Sequence, residues 1–316
     1  MKTLLTLTIL FTVSCGFFKT EEATSKKHIP ELEKLSQRYC ELSKPMFEKY
    51  GQTTDPYCDA ALFTSLHGMG CNYVNPFVFE LEDSGRMCRR PGCSCYDPDK
   101  TKNGADSTFS KDMATGLQLY FSSHDDKGLA DRIQMYGIEN NWVVCEADSQ
   151  TTKLSKCLMS SKIIYRWAEI EKKWNGKSLH IDGLNLTELT DFPAHLHTVG
   201  IMTEWNLYGK ISGNSKQFIK DQVKRDPHNL LFQAMNAAFV TGKREEVAEM
   251  LLKRYPNDRL PTTADWCTDY PMQRDYKRDG KINADHLPCV KKGKQPKPHA
   301  GTGLILANWV LQNIYK

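Results

Sequence analysis

The stretch Gly301-Thr302-Gly303-Leu304-Ile305-Leu306-Ala307-Asn308-Trp309-Val310-Leu311 decides the fold class. At helical pitch, Leu304, Ile305, Trp309, Val310 and Leu311 spread round almost the whole circumference. The spacing predicts a helix over 301–315 with no polar face to offer water, and such a helix is stable only when other elements surround it. The same periodicity recurs upstream. Residues 29–50 open with Pro30 at a first-turn position and set Leu32, Leu35, Tyr39 and Leu42 on one stripe. Ser110 to Phe121 carries Met113, Leu117, Tyr120 and Phe121 behind a capping Ser110. Asp126 caps a further segment with Leu129, Ile133 and Tyr136 that ends near Gly137. The short polar joint between these two predicts a helical hairpin. Further helices are expected over 154–174, 194–208, 215–225, 230–240 and 244–255. Asn72 to Glu80, aromatic and β-branched before a charged turn, is the one persuasive strand signal. The expected fold class is therefore mainly α, built of helical hairpins, with long irregular loops at 82–108 and 256–298. Loops of that length in a compact domain call for a function or a cross-link.

Composition narrows the function classes. Of 316 residues, 42 Lys+Arg face 38 Asp+Glu, a formal charge of +4, with 40% hydrophobic and 25% charged residues. Those proportions describe a folded chain rather than a disordered one. No apolar run is long enough for a polytopic membrane protein. A charge so near balance gives no reason to expect nucleic acid as a partner.

The N-terminus reads as an export signal: Met1-Lys2 gives a positive start, Leu4 to Val13 an apolar stretch too short to span a bilayer, and Ser14-Cys15 a small residue before a cysteine. Thr12-Val13-Ser14-Cys15 resembles the lipobox of bacterial lipoproteins, with Thr12 where leucine is commonest. The resemblance implies removal of residues 1–14, a lipid on Cys15 and attachment to a membrane of the bacterial cell envelope. An ordinary secretory signal cleaved nearby is the alternative. Residues 15–28 are expected to form a flexible tether, and 29–316 a single domain.

There are eleven cysteines. An odd number in an exported chain leaves one sulfur over, and acylation of Cys15 accounts for it. The remainder suits disulfides, with Cys145–Cys157 and Cys267–Cys289 as expected local pairs. Cys88, Cys93 and Cys95 as zinc thiolates form the lesser alternative, because no Cys-x-x-Cys pair and no clear fourth ligand accompany them.

Several residues invite chemistry. Asp59, behind Cys58, stands at a helix start, and Asp112 lies in the first turn of the Ser110 helix beside Lys111; the helix dipole favours an acid at either place. Arg89 and Arg90, next to Pro91, form a candidate anion clamp. Together with Asn141-Trp142-Val143, these motifs resemble those of a group of uncharacterised exported bacterial and phage-encoded proteins. There the middle motif reads Ser-Arg-Asp-Met, against Lys111 here. The likeness spans Cys58 to Val144, with an echo near His299, and it brings no activity with it.

The succession of helices and the buried last one also look like the α/α-toroids of glycan hydrolases and lyases, a likeness of architecture only. Glycoside hydrolysis needs two facing carboxyl groups, one protonated and one ionised. Asp112 is the expected acid and Asp59 or Asp265 the second carboxylate, with Glu204 a further candidate. Arg89, Arg90 and His299 are expected to hold substrate, with Trp205 and Trp266, each directly after an acid, to stack on sugar. A lyase would instead use His195, His197 or His299 as base with an arginine against a uronate. The rival reading is a non-catalytic envelope protein that binds a glycan or a protein partner.

No metal or cofactor is expected. His195 and His197 point apart on a helix, which argues against a zinc site with Glu204. Asp97-Pro98-Asp99 with Gly104 fails the register of a calcium loop. Lysines 291, 292, 294 and 297 read as a solvated loop.

Overall fold

The computed structural model describes residues 27–50, 60–88, 91, 109–142, 159–177, 194–265, 295–296 and 298–314. The side chains of 48–50 and 194–195 are not among the parts described. The described residues form α1 His28–Tyr50, α2 Ala60–Gly68, α3 Lys111–Ser123, α4 Leu129–Glu139, α5 Ser161–Asn175, α6 Ala194–Tyr208, α7 Gly213–Arg225, α8 Leu230–Asn236, α9 Arg244–Arg254 and α10 Thr302–Asn313. The mainly helical fold class stands. None of these helices is long and apolar enough to cross a membrane.

Two helices form the centre. Every residue of α2 is buried, and so is every residue of α10 from Thr302 to Leu311, as its all-round apolar sequence requires. α10 packs on α1, α2, α8 and α9, and α2 also packs on α3. α1 begins at His28, the last residue of the expected tether, and its buried stripe runs Leu32, Leu35, Ser36, Tyr39, Cys40, Ser43 and Phe47. That stripe drifts round the helix as 3.6 residues per turn dictate, which leaves Leu42 at its edge, 40% exposed and not on the packed face. Close approach of α1 to α10 depends on Gly301. Its φ of +76° suits glycine, and a Cβ there would collide with the Tyr39 ring, whose hydroxyl donates to Pro256 O at 2.6 Å.

The joint between α3 and α4 redirects the chain more than it folds it back: α4 packs chiefly on α5, and α3 on α2, α5 and α6. Gly128, not Asp126, is the N-cap of α4; Asp126, two residues earlier, accepts from Gly128 N at 2.9 Å and from the first-turn Ala130 N at 3.3 Å. Ser110 occupies the N-cap of α3 without a side-chain capping bond. Consecutive helices pack elsewhere, α4 with α5 and α7, α8 and α9 in series. The repeated inner and outer pairs of an α/α-toroid are not evident in this packing.

The expected strand at Asn72–Glu80 is not formed. Pro76–Phe79 is a short 3-10 helix: Asn75 Oδ1 accepts from Phe77 N at 3.1 Å, and Pro76, which has no N–H, suits the first turn. Only an isolated bridge between Glu80 and Met87 comes after it, round a tight turn whose Glu82 and Asp83 both have positive φ. Glu80 then ties this turn to α4 through Arg132.

A disulfide joins Cys40 on α1 to Cys71 just after α2, with Cα atoms 5.4 Å apart, a pairing not among the two expected. Cys88 is also disulfide-bonded, to a partner outside the described residues, so it is no zinc thiolate. The expected pairs Cys145–Cys157 and Cys267–Cys289, the lipidation site Cys15, the signal and all but the last two tether residues lie outside the described residues. Beside the Cys40–Cys71 bridge, Ser43 Oγ, His67 Nε2 and the Tyr73 hydroxyl lie within 3.0 Å of one another. His67 stacks on Phe47, and burial pushes its pKa down to about 3, so the ring is neutral and serves as a core hydrogen-bonding hub.

Candidate functional site: a cationic recess between three helices

The inward stripe of α5, Ile163, Ile164, Trp167 and Ile170, packs it against the core, and the chain leaves the helix through Gly176 at φ +68°. Lys162 and Arg166, four residues apart, therefore share the flank that borders α6. Opposite them α6 carries Gly200, where any Cβ would collide with the Arg166 guanidinium. Absence of a side chain at that position is what lets the guanidinium lie against the α6 backbone. The result is a small recess, open to solvent, lined by Thr115 of α3, Lys162, Ile163 and Arg166 of α5, and Leu196 and His197 of α6.

Its electrostatics are dominated by two cations and tempered by one carboxylate. Among the described residues no hydrogen bond or ion pair engages Lys162 or Arg166. Burial pushes the pKa of Arg166 down to about 10, opposed by the Glu204 carboxylate. Lys162 is lowered by burial and then by Arg166, again opposed by Glu204. His197 is pushed down to about 4 by burial and then by the two cations, so it is neutral at pH 7, its ring tilted over Phe218 at 4.2 Å. Glu204 stands one turn beyond Gly200, and its Oε2 accepts from Ser215 Oγ at 3.2 Å. Two partly desolvated cations offset only by Glu204, which pairs closely with neither, are costly, and an anion between them relieves that cost.

The residues expected from sequence are placed differently. Asp112 is half-buried and engaged, three residues before Thr115 and so on the same side of α3. Asp265 has no place in this recess: Arg259 grips it with two guanidinium bonds of 2.7 and 2.9 Å, Thr262 N donates at 2.8 Å, and its pKa is held down to about 2, chiefly by Arg259. It faces Tyr39 on the α1 side, an ionised carboxylate that caps its own turn. Trp205 meets Phe239 edge-on and packs on the core. His299 is buried, its backbone N donating to Pro261 O at 2.7 Å. Asp59, Arg89, Arg90, Trp266 and the His195 side chain lie outside the described residues. So do Cys93, Cys95, Asp97, Asp99 and the lysines at 291, 292, 294 and 297. His195 and His197 do lie on one helix, α6, and no group of three His, Cys, Asp or Glu is placed to hold a metal among the described residues.

Two carboxylates do approach each other, but in the α4–α5 packing and not at the recess. Asn175 Nδ2 donates to Glu171 Oε2 at 2.8 Å and to Asp126 Oδ1 at 3.3 Å. Burial raises the pKa of both acids, and Lys177 lies 3.9 Å from Glu171 Oε1. A raised folded-state pKa means that the native state holds this proton more tightly than the unfolded chain. Stability from Glu171 is therefore greatest below the ordinary carboxylate value and falls as pH rises through the raised one. Glu171→Gln keeps an acceptor for Asn175 and removes the buried charge. It is expected to raise stability at pH 7 by about 1 kcal/mol and to flatten that decline. Urea unfolding at pH 4.5 and pH 7 measures both effects; a variant less stable than the parent at pH 7 contradicts them.

No protein-family model matches the chain, and no curated protein or solved structure matches it either.

Proposed function

We propose that the chain is an exported, lipid-anchored envelope protein that binds an acidic group of a glycan in the Lys162–Arg166–His197 recess, as a binder rather than a cleaving enzyme. The pair of cations, which no described carboxylate meets at ion-pair distance, is the observation that carries this reading. Arginine and lysine at a small concave site suit a carboxylate or a phosphate. Tyr165 and Tyr208, 38% and 41% exposed on the same two helices, offer apolar ring faces to a sugar, their hydroxyls engaged with each other and with Glu169. Cleavage would need a facing acid pair. Near the recess the described carboxylates are Glu204 and the engaged Asp112. A hydrolase working here would draw on Asp112 with Asp59. Export and the lipid anchor rest on Met1 to Cys15.

Calorimetric titration of the full chain with a uronic-acid oligosaccharide is the test. Binding is expected without new reducing ends, and Arg166→Met is expected to weaken it by about tenfold or more, the cost of one charge-assisted hydrogen bond. Equal affinity in a folded Arg166→Met chain overturns the site, and release of reducing ends overturns the binder in favour of the hydrolase. A Cys15 without lipid in the membrane fraction overturns the anchor.

A further inference from the structure

We infer that Glu204 sets the charge that the recess accepts, admitting the single charge of a carboxylate and turning away a phosphate dianion. The inference rests on the binding reading above. The flanks of the recess carry two positive charges, Lys162 and Arg166, and one negative, Glu204, which stands on α6 a turn past the glycine against which the Arg166 guanidinium lies. Ser215 Oγ holds the Glu204 carboxylate at 3.2 Å, and Ser212, the N-cap of α7, fixes Ser215 in turn. Lys111 and Asp112 at the start of α3 are both engaged and together add no net charge. His197 adds no charge at neutral pH.

The balance at the recess is therefore one net positive charge, which a carboxylate cancels. A phosphate monoester carries nearly two negative charges at pH 7. It would leave one in surplus beside Glu204, where partial burial strengthens the repulsion. A uronate is thus the fitting sugar acid, and Glu204 is a specificity residue that acts through Arg166.

Glucuronate and glucose 6-phosphate, which share a hexose ring and differ in the acidic group at carbon six, are the matched probes. At pH 7.5 the full chain is expected to bind glucuronate at least about tenfold more tightly than the phosphate. Glu204→Gln, which keeps an acceptor for Ser215, is expected to reverse or erase that ratio by strengthening phosphate binding about tenfold. The parent-chain ratio stands whether or not the variant folds. If both probes bind the parent with equal affinity, or the ratio is the same in a folded Glu204→Gln, this inference falls while the recess remains an anion site. If neither probe nor the oligosaccharide binds, the recess reading falls with it.

Discussion

Replacing Arg132 by methionine is expected to lower the unfolding free energy by about 3 kcal/mol, the lower end of the cost of removing one partner from a buried ion pair. Arg132 Nε donates to Glu80 Oε1 and Nη2 to Oε2, each at 2.6 Å, while Nη1 reaches Lys127 O at 3.0 Å. The Glu80 side chain is 3% exposed and that of Arg132 30%, so water relieves the arginine far more than the carboxylate. With the fork removed, Glu80 keeps the Gly85 N–H at 2.9 Å, a single neutral donor against a full buried charge. Glu80→Gln combined with Arg132→Met should cost less than the two single changes added together, because each single change strands a partner that the double change removes. Gly85 belongs to the same lock: at φ +77° a Cβ would strike the Arg132 carbonyl, so any side chain there would force this turn off α4. Denaturant unfolding measures all three chains, and a loss below about 1 kcal/mol, the value of an exposed pair, would show the fork to be ornamental.

Removing the Cys40–Cys71 bridge is expected to cost about 3–4 kcal/mol, the loop-closure value for a cross-link of this span. Its ends are 31 residues apart in sequence, and both are buried, so the bridge restrains the unfolded chain and fills space in the folded one. Cys40→Ala with Cys71→Ala should lack the part of the reductant sensitivity that this bridge gives the parent, which should lose stability on reduction. The neighbouring Ser43, His67 and Tyr73 report the damage. His67 is held neutral by burial, so loosening this corner should bring its titration back toward the ordinary histidine range, readable by NMR. An unchanged midpoint in the double variant would show that α1 and the α2 exit are held by packing alone.

Helix type is legible wherever the apolar period is long. α6 and α10 fall where the pattern of Leu, Ile and Val puts them, and α10 is buried for the reason its sequence announces. Asn72–Glu80 misleads because aromatic and β-branched residues describe a half-buried surface equally well in a 3-10 turn, and the Asn75-Pro76 start decides between the two. Leu42 misleads by one position on a drifting stripe. The recess is harder to see. Lys162 and Arg166 look like the solvated flank of an amphipathic helix, and only their position opposite Gly200, contributed by another helix, makes them a site. Asp265 looks catalytic through its neighbour Trp266, while the residue that decides its chemistry, Arg259, sits six places upstream as an ordinary surface charge. The signal that could have found the recess is a cation pair at helical spacing facing a helix that carries glycine.

Thr302 on α10 meets His67 on α2 across 235 residues of chain. The centre of this protein therefore cannot close until a segment near residue 302 has been made, however early the other helices form. Contacts of such long sequence separation slow folding, since the entropy of bringing the ends together is spent before any packing rewards it. A nascent chain can pack α2 on α3 early, but it would spend most of its synthesis with the α10 side of α2 uncovered.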